Sequence, residues 1–151
     1  MEMGCGSGIV SLHMAKAGTK VTAVDIDERA IEALENSAMM NGLYIQAVQS
    51  DLFTDVEGRF DLIVFNPPYL RGDVRGPEDL CWAGGEGGVQ LTARFLKEAK
   101  EHLEPDGRVL LLVSDDMDPS ALDEALSEWK VRTVACKTLF FEELRVLTLT
   151  L

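Results

Sequence analysis

The chain has 151 residues, 46% of them hydrophobic, and its 26 acidic side chains outnumber 14 basic ones for a net charge of -12. That apolar content suffices for one buried core, so residues 1-151 are expected to form a single domain, while the acidity argues against a duplex-binding surface, which needs a basic patch for phosphates. No run of about eighteen apolar residues could span a bilayer, and nothing at the N-terminus resembles a signal peptide, so a cytoplasmic location and no membrane partner are expected.

The chain begins with a glycine turn, Glu2-Met3-Gly4-Cys5-Gly6-Ser7-Gly8. Glycines at alternate positions let backbone pass close to a ligand without Cβ collisions. This is not the dinucleotide fingerprint, which wants its third glycine where Ile9 stands. A helix is predicted over 8-17, with Ile9, Val10, Leu12, His13 and Ala17 on one stripe. A strand over 21-25 ends in Asp25, an acidic position able to accept from ribose hydroxyls. Asp27 reads as the N-cap of a helix over 28-41. Strands follow at 44-49 and 60-65, then helices at 88-103 and 119-129 and strands at 107-114, 131-138 and 144-151. This alternation predicts an α/β fold: a doubly wound, mostly parallel sheet with helices on both faces. The last two strands are too close for a helical crossover and should form an antiparallel hairpin. The all-apolar run Val109 to Val113 suggests a strand covered on both faces.

Strand 60-65 runs into Asn66-Pro67-Pro68-Tyr69, the most informative tetrapeptide of the chain. The prolines are rigid and donate no hydrogen bonds, so the carbonyls around them remain available to a ligand. The Asn66 amide adds an acceptor and Tyr69 a flat face. Two acceptors beside a ring suit a planar amino group, either a side-chain amide or a nucleobase amine. The long segment from Leu70 to Gly87 that follows is read as a wall around the substrate, with Trp82 as a contact. His13 and His102 are read as non-catalytic. The three cysteines, Cys5, Cys81 and Cys136, are too few and scattered for a disulfide framework or zinc site, and no bound metal is expected.

Taken together, Glu2 to Gly8, Asp25-Ile26-Asp27, Ser50-Asp51-Leu52, Asn66 to Tyr69 and Trp82-Ala83-Gly84-Gly85-Glu86-Gly87-Gly88 resemble the class I S-adenosylmethionine-dependent methyltransferases. The Trp82 to Gly88 stretch narrows the resemblance to the HemK family of protein glutamine N5-methyltransferases, in its compact archaeal and eukaryotic branch. It implies a Rossmann-like seven-stranded sheet, S-adenosylmethionine as cofactor, and the Gly-Gly-Gln loop of a class 1 translation release factor as substrate. In that pattern Glu2, Gly4, Gly6 and Gly8 contact the methionine part of the cofactor. Asp25 binds ribose, Ile26 packs on adenine, and Asp51 with the Leu52 backbone takes the adenine amino group. Asn66 and Pro67 would accept the two N-H hydrogens of the reacting amide and Tyr69 would pack on its plane, with Pro68 and Trp82 completing the substrate contacts.

The resemblance also implies residues ahead of Met1, including most of the first strand, so the chain is expected to be internal to a longer protein. It further implies a small zinc-binding activator subunit docked on the edge strand near Ile45. Two other readings remain: an exocyclic-amine methyltransferase of RNA or DNA, with nucleic acid disfavoured by charge, and a truncated, inactive cofactor-binding interaction module.

Overall fold

The computed structural model describes residues 1-72, 76 and 84-151. In chain order its elements are β1 (Glu2-Met3), α1 (Ile9-Lys16), β2 (Thr22-Asp25), α2 (Glu28-Met40), β3 (Gln46-Gln49), β4 (Phe60-Phe65), α3 (Gln90-Ala99), β5 (Leu103-Ser114), α4 (Pro119-Leu126), β6 (Lys130-Thr138) and β7 (Glu143-Thr150). Short 3-10 turns at Glu86-Gly88 and Lys100-His102 flank α3. One seven-stranded sheet has the order β3-β2-β1-β4-β5-β7-β6. Its pairs are parallel from β3 through β5, and β7 runs antiparallel between β5 and β6. The expected doubly wound sheet with a C-terminal hairpin is therefore present.

Two apolar clusters show which helices cover which face. Ala23 packs with Cys5, Ile31 and Leu34 under α2, joined by Leu12 of α1. On the other face Met3, Val24, Ile63, Phe65, Val109, Leu111, Val113, Leu147 and Leu149 meet Phe95, Leu96 and Ala99 of α3 and Leu122 and Leu126 of α4. Side chains of a strand alternate between faces, so neighbours such as Ala23 and Val24 serve different clusters. Capping sets where the helices begin. The Asp27 carboxylate accepts the Arg29 N-H at 3.0 Å, and that of Asp118 accepts the Ala121 N-H at 2.9 Å ahead of Pro119.

Several sequence expectations need correction. Leu110 and Leu112 are only half-buried while Val109, Leu111 and Val113 are buried. The all-apolar run thus marks a strand covered on one face by α3 and α4, without a described helix over the other. Helix 88-103 is shorter than predicted, because the chain tightens at Lys100 and turns into β5, which starts at Leu103 rather than 107. In α1 the buried residue is Ser11, whereas Ile9 and Val10 are exposed. The stripe fails because the face turned inward meets a carboxylate, that of Glu2. Strand β3 begins at Gln46, so Tyr44 and Ile45 precede it. As expected, β3 is an edge strand. The two-residue β1 lies in the middle of the sheet, and Phe60 and Leu62 of β4 extend beyond its register.

Candidate active site

Apart from Trp82, which lies outside the described residues, the marked residues fall at the carboxyl ends of β1, β2, β3 and β4. The register pairs Met3 with Val24 on one side and Phe65 on the other, so the glycine turn, Asp25 and Asn66 emerge as neighbours. Such carboxyl ends, where the strand order reverses, are the ligand crevice of open α/β sheets.

The glycine turn is held from both sides. Gly6 donates its N-H to Asp25 Oδ2 at 2.8 Å, and Asp27 donates to Asp25 Oδ1 at 3.0 Å. Each carboxylate oxygen keeps a lone pair for a further donor. Gly8 caps α1 at φ 72°, where a Cβ would overlap the Leu34 side chain. A side chain there would displace the buried Leu34 side chain and strain a backbone held at positive φ.

Behind the turn, Glu2 is buried and its Oε2 accepts both the N-H of Ser11, at 2.7 Å, and the Ser11 hydroxyl. Burial pushes the Glu2 carboxyl above its ordinary value, against the opposing effect of the two Ser11 bonds. The same surroundings, with Asp25 and Glu2 nearby, push the buried Cys5 thiol up to about 12. Cys5 is a small apolar filler of the turn.

The next strand ends supply Ile26, Asp51 and Leu52. Ile26 is 45% exposed directly after Asp25, an apolar platform beside a carboxylate. The Asp51 side chain is exposed and bonded only loosely by Arg94 at 3.2 Å, a solvent-screened pair. Among the described residues Leu52 is the one non-glycine with positive φ, at 50°. A branched side chain in the left-handed region costs roughly 1-2 kcal/mol. Here the buried Leu52 side chain, anchored in the core beside Phe53, holds that backbone in place. Strain of this kind concentrates at ligand sites.

The segment Asn66-Pro67-Pro68-Tyr69, a shelf at the end of β4, rests on aromatic packing. Phe65 sits 4.4 Å from Phe95, which stacks on Phe53 at 5.6 Å, and Phe53 stacks on His102 at 4.5 Å. His102 is thus structural, and the His13 ring bonds the Ile9 carbonyl in its own helix. Pro67 is buried, Pro68 and Tyr69 are half-buried, and Asn66 is exposed. Among the described residues nothing hydrogen-bonds the Asn66 side chain. The Gly84-Gly88 stretch supports the shelf from outside: Gly84 donates its N-H to the Leu70 carbonyl at 2.8 Å, and Gly85 bridges Gly72. Gly88, at φ 70°, passes so near the Tyr69 carbonyl that no Cβ would fit. Burial, then the Glu142 and Asp116 carboxylates, pushes the Tyr69 phenol above its ordinary value. Trp82 and most of the segment read as a substrate wall lie outside the described residues.

Sequence reading missed Ser11, Arg94, Asp116, Glu142 and the load on Gly88. Ser11 and Arg94 look like ordinary helix residues, and Glu142 reaches Tyr69 only through the antiparallel hairpin. Gly88 alone carried a signal, as part of the glycine-rich run.

The donors and acceptors fit S-adenosylmethionine. Spare carboxylate lone pairs on Asp25 match hydroxyls, exposed Ile26 matches an apolar ring, and acceptors at Asp51 match an amine. No Cβ at Gly6 would meet any atom within 4 Å, so the turn opens on a free approach for the rest of the molecule. Among the described residues no cluster of His, Cys, Asp and Glu could hold a metal, and no helix is long and apolar enough to cross a membrane.

Comparison with known proteins agrees with this geometry. The pattern of the family described as "Methyltransferase small domain" matches residues 1-140. The putative protein N5-glutamine methyltransferase of Methanocaldococcus jannaschii is 34% identical over 97% of this chain and 78% of its own length. Ribosomal RNA small subunit methyltransferase C of Alcanivorax borkumensis is 34% identical over 87% of this chain, which spans only 37% of that enzyme. Among solved structures, the Mtq2-Trm112 complex of E. cuniculi, responsible for methylation of the eRF1 termination factor, superposes with a TM-score of 0.75 over 98% of this chain and 81% of the other, at 22% identity. The expected S-adenosylmethionine-dependent, HemK-like character is borne out by these relatives. The chain belongs to the methyltransferase small domain family of S-adenosylmethionine-dependent enzymes.

Proposed function

We propose that this chain methylates the side-chain amide nitrogen of a protein glutamine, the Gly-Gly-Gln loop of a class 1 release factor being the substrate. The observation that carries this reading is the Asn66 amide, exposed at the end of β4 and without a described partner, beside the half-buried Tyr69. The acidic setting of the shelf adds weight. Asp116 and Glu142 lie close enough to help raise the Tyr69 phenol, and Asp115 and Glu86 are exposed on the neighbouring loops. Such a rim repels a phosphate backbone and suits a protein.

S-adenosylmethionine, when bound, supplies an electrophilic methyl group on a sulfonium. Glu2 and the turn from Gly4 to Gly8 would bind its methionine part, Asp25 the ribose, Ile26 one adenine face, and Asp51 with the Leu52 backbone the adenine amino group. An amide nitrogen is a poor nucleophile because its lone pair is shared with its carbonyl. Asn66 Oδ1 and the Pro67 carbonyl accept its two N-H hydrogens and turn the nitrogen toward the methyl, while Tyr69 holds the amide plane. Orientation of this kind is the main contribution the chain can make. Asn66 is no base, so the proton lost by the nitrogen after transfer passes to water.

A partner subunit is part of this reading. Strand β3 ends the sheet, and Tyr44 (86% exposed) just ahead of it and Met39 and Met40 at the end of α2 leave apolar side chains bare on the segment that leads into that edge. An edge with an apolar flank is a template for strand addition. Ile45 is not one of these bare side chains, because it packs against Cys5, Ala23, Ile31 and Leu34.

The RNA-amine reading is favoured by one observation, the ribosomal RNA methyltransferase relative. An assay with labelled cofactor separates the two. Label on the release-factor glutamine, abolished by changing that glutamine, is expected; label in ribosomal RNA alone would replace the proposal.

A further inference from the structure

At the tip of the β6-β7 hairpin, Phe140 and Phe141 are each 98% exposed, with Leu139 beside them also exposed. Two adjacent bare phenyl rings are unusual on a chain this acidic, since exposed apolar groups of this size commonly mark contact surfaces. The tip is not a loose end. Leu139 donates its N-H to the Glu142 carbonyl at 2.7 Å, closing the turn. The Ser114 hydroxyl donates to Glu142 Oε1 at 2.6 Å, Glu143 donates its N-H to Asp115 Oδ1 at 2.9 Å, and Asp115 donates back to the Glu143 carbonyl at 3.1 Å. These bonds lash the turn to the carboxyl end of β5, on the same rim as the shelf. Glu142, the residue after Phe141, is bonded to Ser114 at the end of β5, the strand beside β4 from which the shelf emerges.

From this continuity with the shelf we infer that the Phe140-Phe141 turn is a docking surface for the protein substrate, engaging an apolar spot ringed by Lys or Arg on the body of that protein while its glutamine reaches Asn66. The inference rests on the protein-glutamine reading given above. The choice of occupant follows from charge. Around the turn the described rim carries Glu86, Asp115, Asp116, Glu142 and Glu143 against three cations: Arg71, whose guanidinium is turned to the Asp116 carbonyl at 2.8 Å, Arg145, 3.9 Å from Glu143 Oε1, and Lys137, which pairs with Leu144 across the hairpin, so the rim stays net acidic. Phenyl rings beside a net acidic rim complement an apolar, basic protein patch and disfavour both a nucleic acid and an anionic lipid surface. Aromatic anchors on an ordered turn also lose little freedom on binding. The tip would therefore supply affinity for the folded substrate, and the shelf would supply chemistry on its amide.

The test uses the full chain with Phe140→Ser and Phe141→Ser combined. Three quantities are compared with the unchanged chain: affinity for a cognate class 1 release factor by fluorescence anisotropy, labelled methyl transfer to that factor and to a short Gly-Gly-Gln peptide, and the melting temperature. Expected are a loss of affinity for the folded factor of about tenfold or more, the scale for removing a central aromatic anchor, with peptide turnover and melting temperature unchanged. Equal affinity of the variant and the unchanged chain for the factor would overturn the docking role while leaving the glutamine reading intact. A marked fall in melting temperature would also overturn it, by showing that the rings pack within the chain. If the unchanged chain methylates neither factor nor peptide, the glutamine reading fails and the inference falls with it. Loss of binding to a ribosomal RNA stem-loop in place of the factor would assign the tip to nucleic acid and overturn it as well.

Discussion

The Tyr69 carbonyl lies against the α-carbon of Gly88, in contact too close for any side chain at that position. Gly88 also holds φ 70°, a region costly for L-residues. Gly88→Ala should therefore shift the shelf rather than unfold the sheet. Overpacking of this type costs about 1-3 kcal/mol. The expected outcome is a modest drop in melting temperature, near-normal cofactor affinity by calorimetry, and a large loss of turnover. Full turnover would mean that the glycine-rich stretch does not set the position of Tyr69.

Asn66 offers a cleaner separation of chemistry from folding, because its side chain is exposed and bonds no described residue. Asn66→Ala should lower methyl transfer by about 10²-10³, the usual loss for one preorganised polar contact. Cofactor affinity and melting temperature should change little. Single-turnover assays would show it, and near-normal transfer would remove Asn66 from the mechanism.

Much of this site was legible before any coordinates, and the reason is local. Glycines, prolines and strand-ending acids carry their geometry in their own covalent structure, so the turn from Gly4 to Gly8, Asp25 and the Asn66-Tyr69 shelf could be placed from spacing alone. What stayed hidden depends on long-range packing. Ser11 is buried only because Glu2 needs a partner, and the one-sided covering of β5 depends on which helices reach it. Ile45 looked like an edge residue, yet it packs against the Cys5 cluster on the same face as Ala47, two residues on.

Asp25 has two duties, and its removal should show both. Asp25→Ala deletes an acceptor for ribose and also the acceptor that holds the Gly6 and Asp27 amides. Hydrogen bonds to a charged group are worth about 1.5-3 kcal/mol, so cofactor affinity should fall by that amount. The unliganded protein should also melt lower than the unchanged chain. A fall in stability with unchanged affinity would restrict Asp25 to the turn.

Glu2 predicts a pH effect of definite sign. Its folded-state carboxyl titrates above the ordinary 4.5, burial being the main cause. A raised carboxyl contributes stability below 4.5 that is lost as pH rises through the higher folded value. Glu2→Gln removes that loss while keeping an oxygen to accept from Ser11. Melting temperatures across the acid-to-neutral range should show the variant gaining on the unchanged chain as pH rises. A gap that stays constant or moves the other way would mean that Glu2 is not carrying a buried charge.

The β3 edge provides the last test. Tyr44 stands exposed two residues ahead of it and Met40 exposed at the end of α2, whereas Ile45 packs against Ala23, Ile31 and Leu34. Changing Ile45 to Lys would remove an apolar side chain packed on that cluster and so lower stability whatever docks there. Tyr44→Lys, alone or with Met40→Lys, instead places charge on the outer surface without touching the core. If a partner subunit adds its strand to β3, these changes should weaken the complex by about tenfold or more, as loss of an aromatic anchor does. The melting temperature of the isolated chain should stay where it was. Co-purification and titration of the two proteins would measure it. Undiminished affinity with both changes in place would move the docking surface away from this edge.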